Sequence, residues 1–286
     1  MGAPMPQSNL QPAIVVAGAS SGIGRELARL AARERSFMLL IGRSRTALEQ
    51  VAAELGETGT PAAPLPLDLG DPHAGERIER ELAERGLYCD ILINSAGFGL
   101  FGPAAEIDRA EQLNLLDINA RALTDLTLRF IPGMVARRRG GVLNVGSITG
   151  YVAGPNMAVY YASKTYVHSF STALAAEVAR HGVTVSCLCP SQVRTAFFER
   201  CNVGEAPIAK FMPRADADEI AAAGWRGFKA GKRVVIPRLV DHVIRAAGIL
   251  LPTKLLLWLV GALQRPPRRS PSQRPSSNQG VADTGT

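Results

Sequence analysis

The chain predicts an α/β fold, a doubly wound parallel sheet of about seven strands with helices on both faces, in a single domain. Three observations predict it. Short apolar runs alternate with longer segments of helical periodicity. Several of those runs are apolar on consecutive residues, as strands buried on both faces require. A glycine-rich turn also joins the first run to the first helical segment, the arrangement of Rossmann-like sheets. The composition of the 286 residues agrees, with 47% hydrophobic and 20% charged. That balance excludes a chain disordered throughout, a collagen-like chain and a disulfide scaffold.

The expected strands are Ala13–Ala17, Phe37–Ile41, Ala62–Leu67, Ile91–Asn94, Val142–Val145, Val183–Leu188 and Val234–Ile236. Helices are expected near Ile23–Arg35, Arg45–Leu55, Pro72–Arg85, Arg109–Arg137 and Met157–Arg180, with another from Pro237. Asp71-Pro72 reads as a cap before a first-turn proline, and Asp108-x-x-Glu111 resembles a capping box. Pro64 and Pro66 both fall in the third run. Proline is tolerated best at a sheet edge, and the third strand is the edge in the order 3-2-1-4-5-6.

Residues 1–12 read as a flexible N-terminus. They hold no cationic run followed by an apolar stretch, and Pro6 stands where a myristoylation signal needs Ser or Thr. With four cysteines (Cys89, Cys187, Cys189, Cys201) in no secreted pattern, a reducing, cytoplasmic setting is expected. The domain proper is expected over 13–263. Within it, 193–232 is irregular, follows a strand's C-terminal end and reads as a substrate lid.

Residues 239–263 form an apolar segment interrupted by Asp241, His242, Arg245, Pro252 and Lys254. A spanning helix needs ~20 predominantly apolar residues, so this segment is expected to pack on the domain or a partner subunit. Peripheral contact with a membrane surface is the alternative, with membrane association in place of a purely cytoplasmic location. Residues 264–286, rich in Pro, Ser, Arg and Gln, read as a disordered basic tail. The formal net charge is +7, of which the tail carries +3. No basic stripe interleaves with aromatics, so no nucleic acid is expected as partner.

Chemistry concentrates at three places. The first strand runs into Gly18-Ala19-Ser20-Ser21-Gly22-Ile23-Gly24 and a helix. Glycines there let the backbone approach a pyrophosphate, whose charge the helix N-terminus stabilises. The second strand ends at Arg43 with no carboxylate for a ribose hydroxyl, and a guanidinium can pair with a 2′-phosphate. NADP(H) is therefore expected over NAD(H). Third, Ser147 follows a strand end, and Tyr160 and Lys164 sit four apart on a helix, hence on one face. A phenol near pKa 10 shuttles protons poorly at neutral pH, and an ammonium one turn away favours the phenolate. The four histidines are scattered without ligand spacing, and no metal is expected. Cys187 and Cys189 read as buried thiols at a strand end.

With these motifs in order, the chain closely resembles the short-chain dehydrogenase/reductase family from about Ala13 to Ile236. The family's T-G-x-x-x-G-I-G appears as Ala17-Gly18-Ala19-Ser20-Ser21-Gly22-Ile23-Gly24, its N-N-A-G as Asn94-Ser95-Ala96-Gly97, and its P-G motif as Pro190-Ser191-Gln192-Val193-Arg194-Thr195. The resemblance implies Asn119, Ser147, Tyr160 and Lys164 as the catalytic set. Tyr160 is then the general acid or base, Lys164 its cationic neighbour and ribose ligand, Ser147 the donor to the substrate oxygen, and Asn119 the holder of a water. It implies cofactor contacts from Gly18, Ser20, Ser21, Gly22, Ile23, Gly24, Arg43, Asp68 (at the adenine amine), Leu69, Asn94, Ala96, Gly97, Tyr160, Lys164, Pro190, Val193 and Thr195.

The reaction implied is hydride transfer between the nicotinamide and a carbonyl or alcohol carbon. Reduction of an apolar, lipid-like ketone or aldehyde is expected, in a pocket of Phe98, Leu100, Val152, Met157, Phe197 and Phe198. Tyr161, about 100° round the helix from Tyr160, is expected to line it. Alcohol oxidation is the second enzymatic reading, and a non-catalytic dinucleotide-binding regulator is the reading from another class. Family resemblance further implies a homodimer or homotetramer packed through 109–137 and 157–180.

Overall fold

The computed structural model describes residues 10–195 and 214–265. Its sheet contains β1 (Gln11–Ala17), β2 (Phe37–Gly42), β3 (Ala62–Pro66), β4 (Leu87–Asn94), β5 (Gly141–Val145), β6 (Thr184–Leu188) and β7 (Val234–Val235). The order is β3-β2-β1-β4-β5-β6-β7, parallel throughout. β3 is an edge, with Pro64 opposite Leu40 and Pro66 opposite Gly42. Its missing N–H groups therefore interrupt no second ladder.

Alternate residues of β1 feed opposite faces of the sheet. Ala13, Val15 and Ala17 join one buried cluster with Ile78, Leu126, Phe130 and Leu174. Ile14 and Val16 join the other with Leu27, Leu48, Ile220 and Phe228. The first cluster is covered by α3 (Ala74–Glu84), α5 (Leu123–Arg137) and α6 (Ala158–Val178), the second by α1 (Gly22–Ala31), α2 (Arg45–Glu57) and α7 (Ala217–Lys229). This is the doubly wound arrangement the consecutive apolar runs predict.

Four local expectations change. Asp71 does not cap α3, because His73 holds the cap position and Asp71 instead accepts a bond from the His73 N–H at 2.9 Å. β4 starts four residues early, and its register against β1 jumps from Cys89 to Ile91, leaving Asp90 as the extra residue of a bulge. Asp90 then pairs with Arg139 at 3.1 Å.

The helix expected over 109–137 is three pieces: α4 (Arg109–Leu116), a π-helical turn Asp117–Ala122, and α5. Its start is as expected, with Asp108 accepting from the Glu111 N–H at 3.0 Å. Finally, the expected lid at 193–232 is in part core. Its residues 196–213, with Phe197 and Phe198, lie outside the described residues, but α7 buries Ile220, Ala221, Trp225 and Phe228 against the sheet.

The C-terminal apolar segment forms two helices, α8 (Leu239–Leu250) and α9 (Thr253–Leu263), broken at Pro252. Pro252 cannot continue a helix donor ladder, and it holds the preceding Leu251 extended. No helix among the described residues is long and apolar enough to cross a membrane.

Candidate active site

A cavity of about 430 Å³ opens along the C-terminal ends of β1, β2, β4, β5 and β6. Its first end is the turn between β1 and α1. Gly18 has φ +87°, and a Cβ there would stand 2.5 Å from the Ala96 N. Gly22 has φ +56°, and a Cβ on Gly24 would overlap the Gly18 carbonyl oxygen. Side chains are thus excluded at all three positions, and the turn closes against the end of β4. Ser21 caps α1 without a side-chain bond, and no acidic residue occupies the first turn. The helix N-terminus therefore faces the cavity as an anion site.

Gly18, Ser20, Ser21, Gly22 and Ile23 line this end, with Arg43 exposed at its mouth beside Asp68 and Leu69. Asp68 accepts from the Gly70 N–H at 2.9 Å. Ala96, Gly97, Pro190, Val193 and Thr195 continue the wall. The side chain of Asn94, whose implied contact is a backbone one, and Gly24 are not part of this lining. The Asn94 amide braces the sheet from behind, donating to Asn144 at 2.9 Å and Thr127 at 3.2 Å. Gly24 lies inside the turn as a close-packing residue.

Ser147, Tyr160 and Lys164 converge further along, all lining the cavity and all under one-tenth exposed. Ser147 Oγ accepts from the Thr149 N–H at 3.2 Å. The Lys164 Nζ lies 5.9 Å from the Tyr160 ring centroid and donates to the Val145 carbonyl at 3.0 Å. Burial lowers the Lys164 ammonium from its usual 10.5 to about 8, against the opposing pull of the Cys187 and Cys189 thiols behind it. The two sulfurs are 3.6 Å apart and buried. The cation beside Tyr160 is therefore itself titratable near physiological pH.

Asn119 stands in the π turn and does not line the cavity. Its amide donates to the Phe98 carbonyl at 2.9 Å and to Ser163 at 3.2 Å, and accepts from the Phe98 N–H at 3.0 Å. Asn119 Oδ1 and Lys164 Nζ lie 3.0 and 3.7 Å from the point where a Gly97 Cβ would stand. The wide turn thus sets its amide between Phe98 and Ser163, and π turns recur at functional sites.

The far end of the cavity is apolar. Phe98, Val152 and Met157 line it as expected, and Tyr161 joins them, whereas Leu100 packs behind. The remainder comes from residues the sequence reading did not assign to the pocket: Ile244, Ala247 and Leu251 around α8, and Leu256, Leu259, Val260, Leu263 and Gln264 around α9. Their signal was the run Leu255–Leu263, read only as a packing or surface segment. Thr149, Ser191 and Gln192 also line the wall without having been assigned.

A seven-stranded doubly wound sheet, with a glycine cradle at its first crossover and a Tyr/Lys/Ser set on one cavity, defines a dinucleotide-dependent oxidoreductase site. The short chain dehydrogenase family model matches residues 12–206, and the chain belongs to that family.

Among curated relatives it is 38% identical over 181 residues to a very-long-chain 3-oxoacyl-CoA reductase of Mycosarcoma maydis, covering 61% of this chain and 51% of that protein. The chain thus spans about half the length of that relative. It is 29% identical to a fatty acyl-CoA reductase of Acinetobacter baylyi over 82% of this chain and 77% of the relative. Among solved structures, a short-chain dehydrogenase from Sphingobium yanoikuyae in complex with NADPH superposes with a TM-score of 0.73 at 28% identity, covering 84% of this chain and 96% of that one.

Proposed function

We propose that the protein is an NADP(H)-dependent reductase of an apolar, lipid-like ketone or aldehyde, with Tyr160 as its general acid. The observation that carries this reading is the joint one: Ser147, Tyr160 and Lys164 face the same cavity whose far wall is aliphatic. The glycine turn, the α1 N-terminus and the slot beside Ala96 and Gly97 fit a dinucleotide, since a Cβ at Gly18 would fill the cradle. A bound nicotinamide supplies or accepts the hydride. Exposed Arg43 follows β2 in the run Gly42-Arg43-Ser44-Arg45, which holds no carboxylate for a ribose hydroxyl, and this supports a 2′-phosphate over a bare ribose. The neighbour solved with NADPH and the acyl-chain relatives point the same way.

The chain's own groups then divide the work. Ser147 donates to the substrate oxygen, fixing it against Tyr160. Tyr160 delivers its proton to that oxygen as charge develops there. The Lys164 ammonium favours the phenolate left behind, and Asn119, through Phe98 and Ser163, holds the Gly97 strap in register with Lys164. The aliphatic wall excludes water from the reacting carbon. The test is purified protein with NADPH and a panel of long-chain and cyclic ketones, followed by NADPH absorbance. Reduction is expected, with NADH poorer. Turnover of neither cofactor with any ketone or alcohol would overturn the reading.

We also propose that the outer face of α8 and α9 contacts an anionic membrane surface. Leu239, Val243, Leu250 and Trp258 are 87, 68, 77 and 66% exposed. Arg238, Arg245, Lys254 and Arg265 flank them, and the single acid of the segment, Asp241, is buried. An apolar face set among cations suits an acidic bilayer, and the same helices line the cavity, giving a lipid substrate a short route inward. Flotation with phosphatidylglycerol vesicles is expected and should be lost in Leu250→Glu/Trp258→Glu. Soluble dimers that those substitutions split, without vesicle binding, would overturn it. For assembly we propose a homodimer or homotetramer through α4–α6, where Leu113, Leu116, Leu128 and Tyr166 are 45, 38, 54 and 42% exposed. Light scattering of Leu128→Glu against the unaltered protein checks this, and an unchanged mass would count against that face.

A further inference from the structure

Gln264 takes no part in the hydride chemistry, yet it is 1% exposed and lines the cavity. Its backbone is satisfied, the N–H donating to Val260 at 2.9 Å and the carbonyl accepting from Asn156 at 2.8 Å. The side-chain Nε2 donates to the Tyr161 hydroxyl and lies 3.8 Å from the Met157 sulfur. That sulfur is only an acceptor, which sets the amide with its nitrogen toward it. Oε1 is left buried without a partner among the described residues.

The Tyr161 oxygen accepts from Gln264, and no group among the described residues takes its proton. Burial raises the Tyr161 phenol to about 12, so that proton stays on at physiological pH. The surrounding wall is Met157, Leu256, Val260 and Leu263. A buried acceptor and a buried donor thus stand side by side on an otherwise apolar wall of the cavity, and a ligand group that pairs with both is favoured there over one that leaves either unmatched.

An alcohol hydroxyl donates one hydrogen bond and accepts another, which matches this pair. A carboxylate offers no donor for Oε1, an ammonium no acceptor for the phenol, and a bare hydrocarbon leaves both atoms unmatched. We infer that Gln264 and Tyr161 form a hydroxyl-recognition site, so that the preferred substrate is an apolar carbonyl compound carrying a hydroxyl group away from the reacting carbonyl. The inference rests on the cavity being the substrate pocket. It goes further in naming a polar group that an aliphatic wall alone would reject.

The test compares 2-alkanones with ω-hydroxy-2-alkanones of about six to twelve carbons, so that the spacing between carbonyl and hydroxyl is varied. Binding to the full-length protein with NADPH is measured by titration calorimetry, which needs no turnover, in parallel with KM and kcat. For at least one chain length the hydroxy-ketone should bind about tenfold tighter than its plain partner, with the difference in KM rather than kcat. Gln264→Leu should collapse that ratio toward one and improve binding of the plain ketone. Tyr161→Phe removes the phenol donor, together with the oxygen that accepts from Gln264, while keeping Oε1, and should lower the ratio by about threefold. It provides the check if Gln264→Leu does not fold.

Equal binding of the two series at every length, or a ratio that survives Gln264→Leu, overturns the inference. Preferential binding of hydroxy-ketones that are never reduced would leave it standing while the catalytic reading fell. Reduction of both series with equal KM would do the reverse.

Discussion

The two ends of the cavity are built differently. The dinucleotide end is made of backbone: a turn with φ +87° at Gly18, a strand end at Ala96 and Gly97, and the open N-terminus of α1. The far end is made of side chains from segments about a hundred residues apart, Met157 and Tyr161 on one side and Leu256 to Gln264 on the other. Backbone geometry tolerates one residue type per position, whereas an aliphatic wall tolerates any side chain of fitting volume. On the proposed function, the first end would fix what kind of reaction occurs and the second would select what enters.

That contrast can be broken from either side. The largest effect is expected where the two ends meet: Tyr160→Phe should lower kcat by about 10³-fold, the middle of the range for a lost general acid, while NADPH affinity changes little. Stopped-flow turnover with a parallel cofactor titration checks it, and near-normal turnover would show that the proton comes from elsewhere. Next comes Gly18→Ala, which puts a Cβ 2.5 Å from the Ala96 nitrogen at a positive φ. NADPH affinity should weaken by about 100-fold or more, with lower thermal stability, read by cofactor fluorescence and melting.

The Arg43→Ala substitution should reduce the NADPH-over-NADH preference by about tenfold through loss of a charge-assisted pair, leaving the ketone KM nearly unchanged. The gentlest test is pH. Burial holds the Lys164 pKa down at about 8, so the ammonium is present below that value and lost above it. Reductive kcat/KM should therefore fall above pH ~8, approaching tenfold per pH unit, if the cation is what assists Tyr160. A flat profile to pH 10 would remove Lys164 from that role.

Legibility followed the same division. The sheet order, the edge position of Pro64 and Pro66, the glycine turn and the Tyr160/Lys164 pair were readable because each depends on local chemistry or fixed spacing. The split of the 109–137 helix was not, because the π turn at Asp117–Ala122 serves a tertiary bond from Asn119 to Phe98 that no periodicity announces. The contact that the family resemblance implies for Asn94 is a backbone one, and its side-chain amide is taken up by Asn144 and Thr127, long-range partners invisible in a linear pattern. Residues 217–229 fall within 193–232, where the apolar pattern is too irregular to announce a core helix. Gly224 and Gly227 are there because side chains would strike Leu188 and Val235. Gln264 was assigned to a disordered tail, since its burial depends on meeting Asn156 and Tyr161.

The hairpin of α8 and α9 joins the domain after its last strand, and Gly248 lets α8 lie directly on the carbonyl of Tyr151. On the proposed function, substrate choice would rest largely on this hairpin, which lies outside the glycine cradle. Exchanging it would then change the bit of the drill and keep the motor.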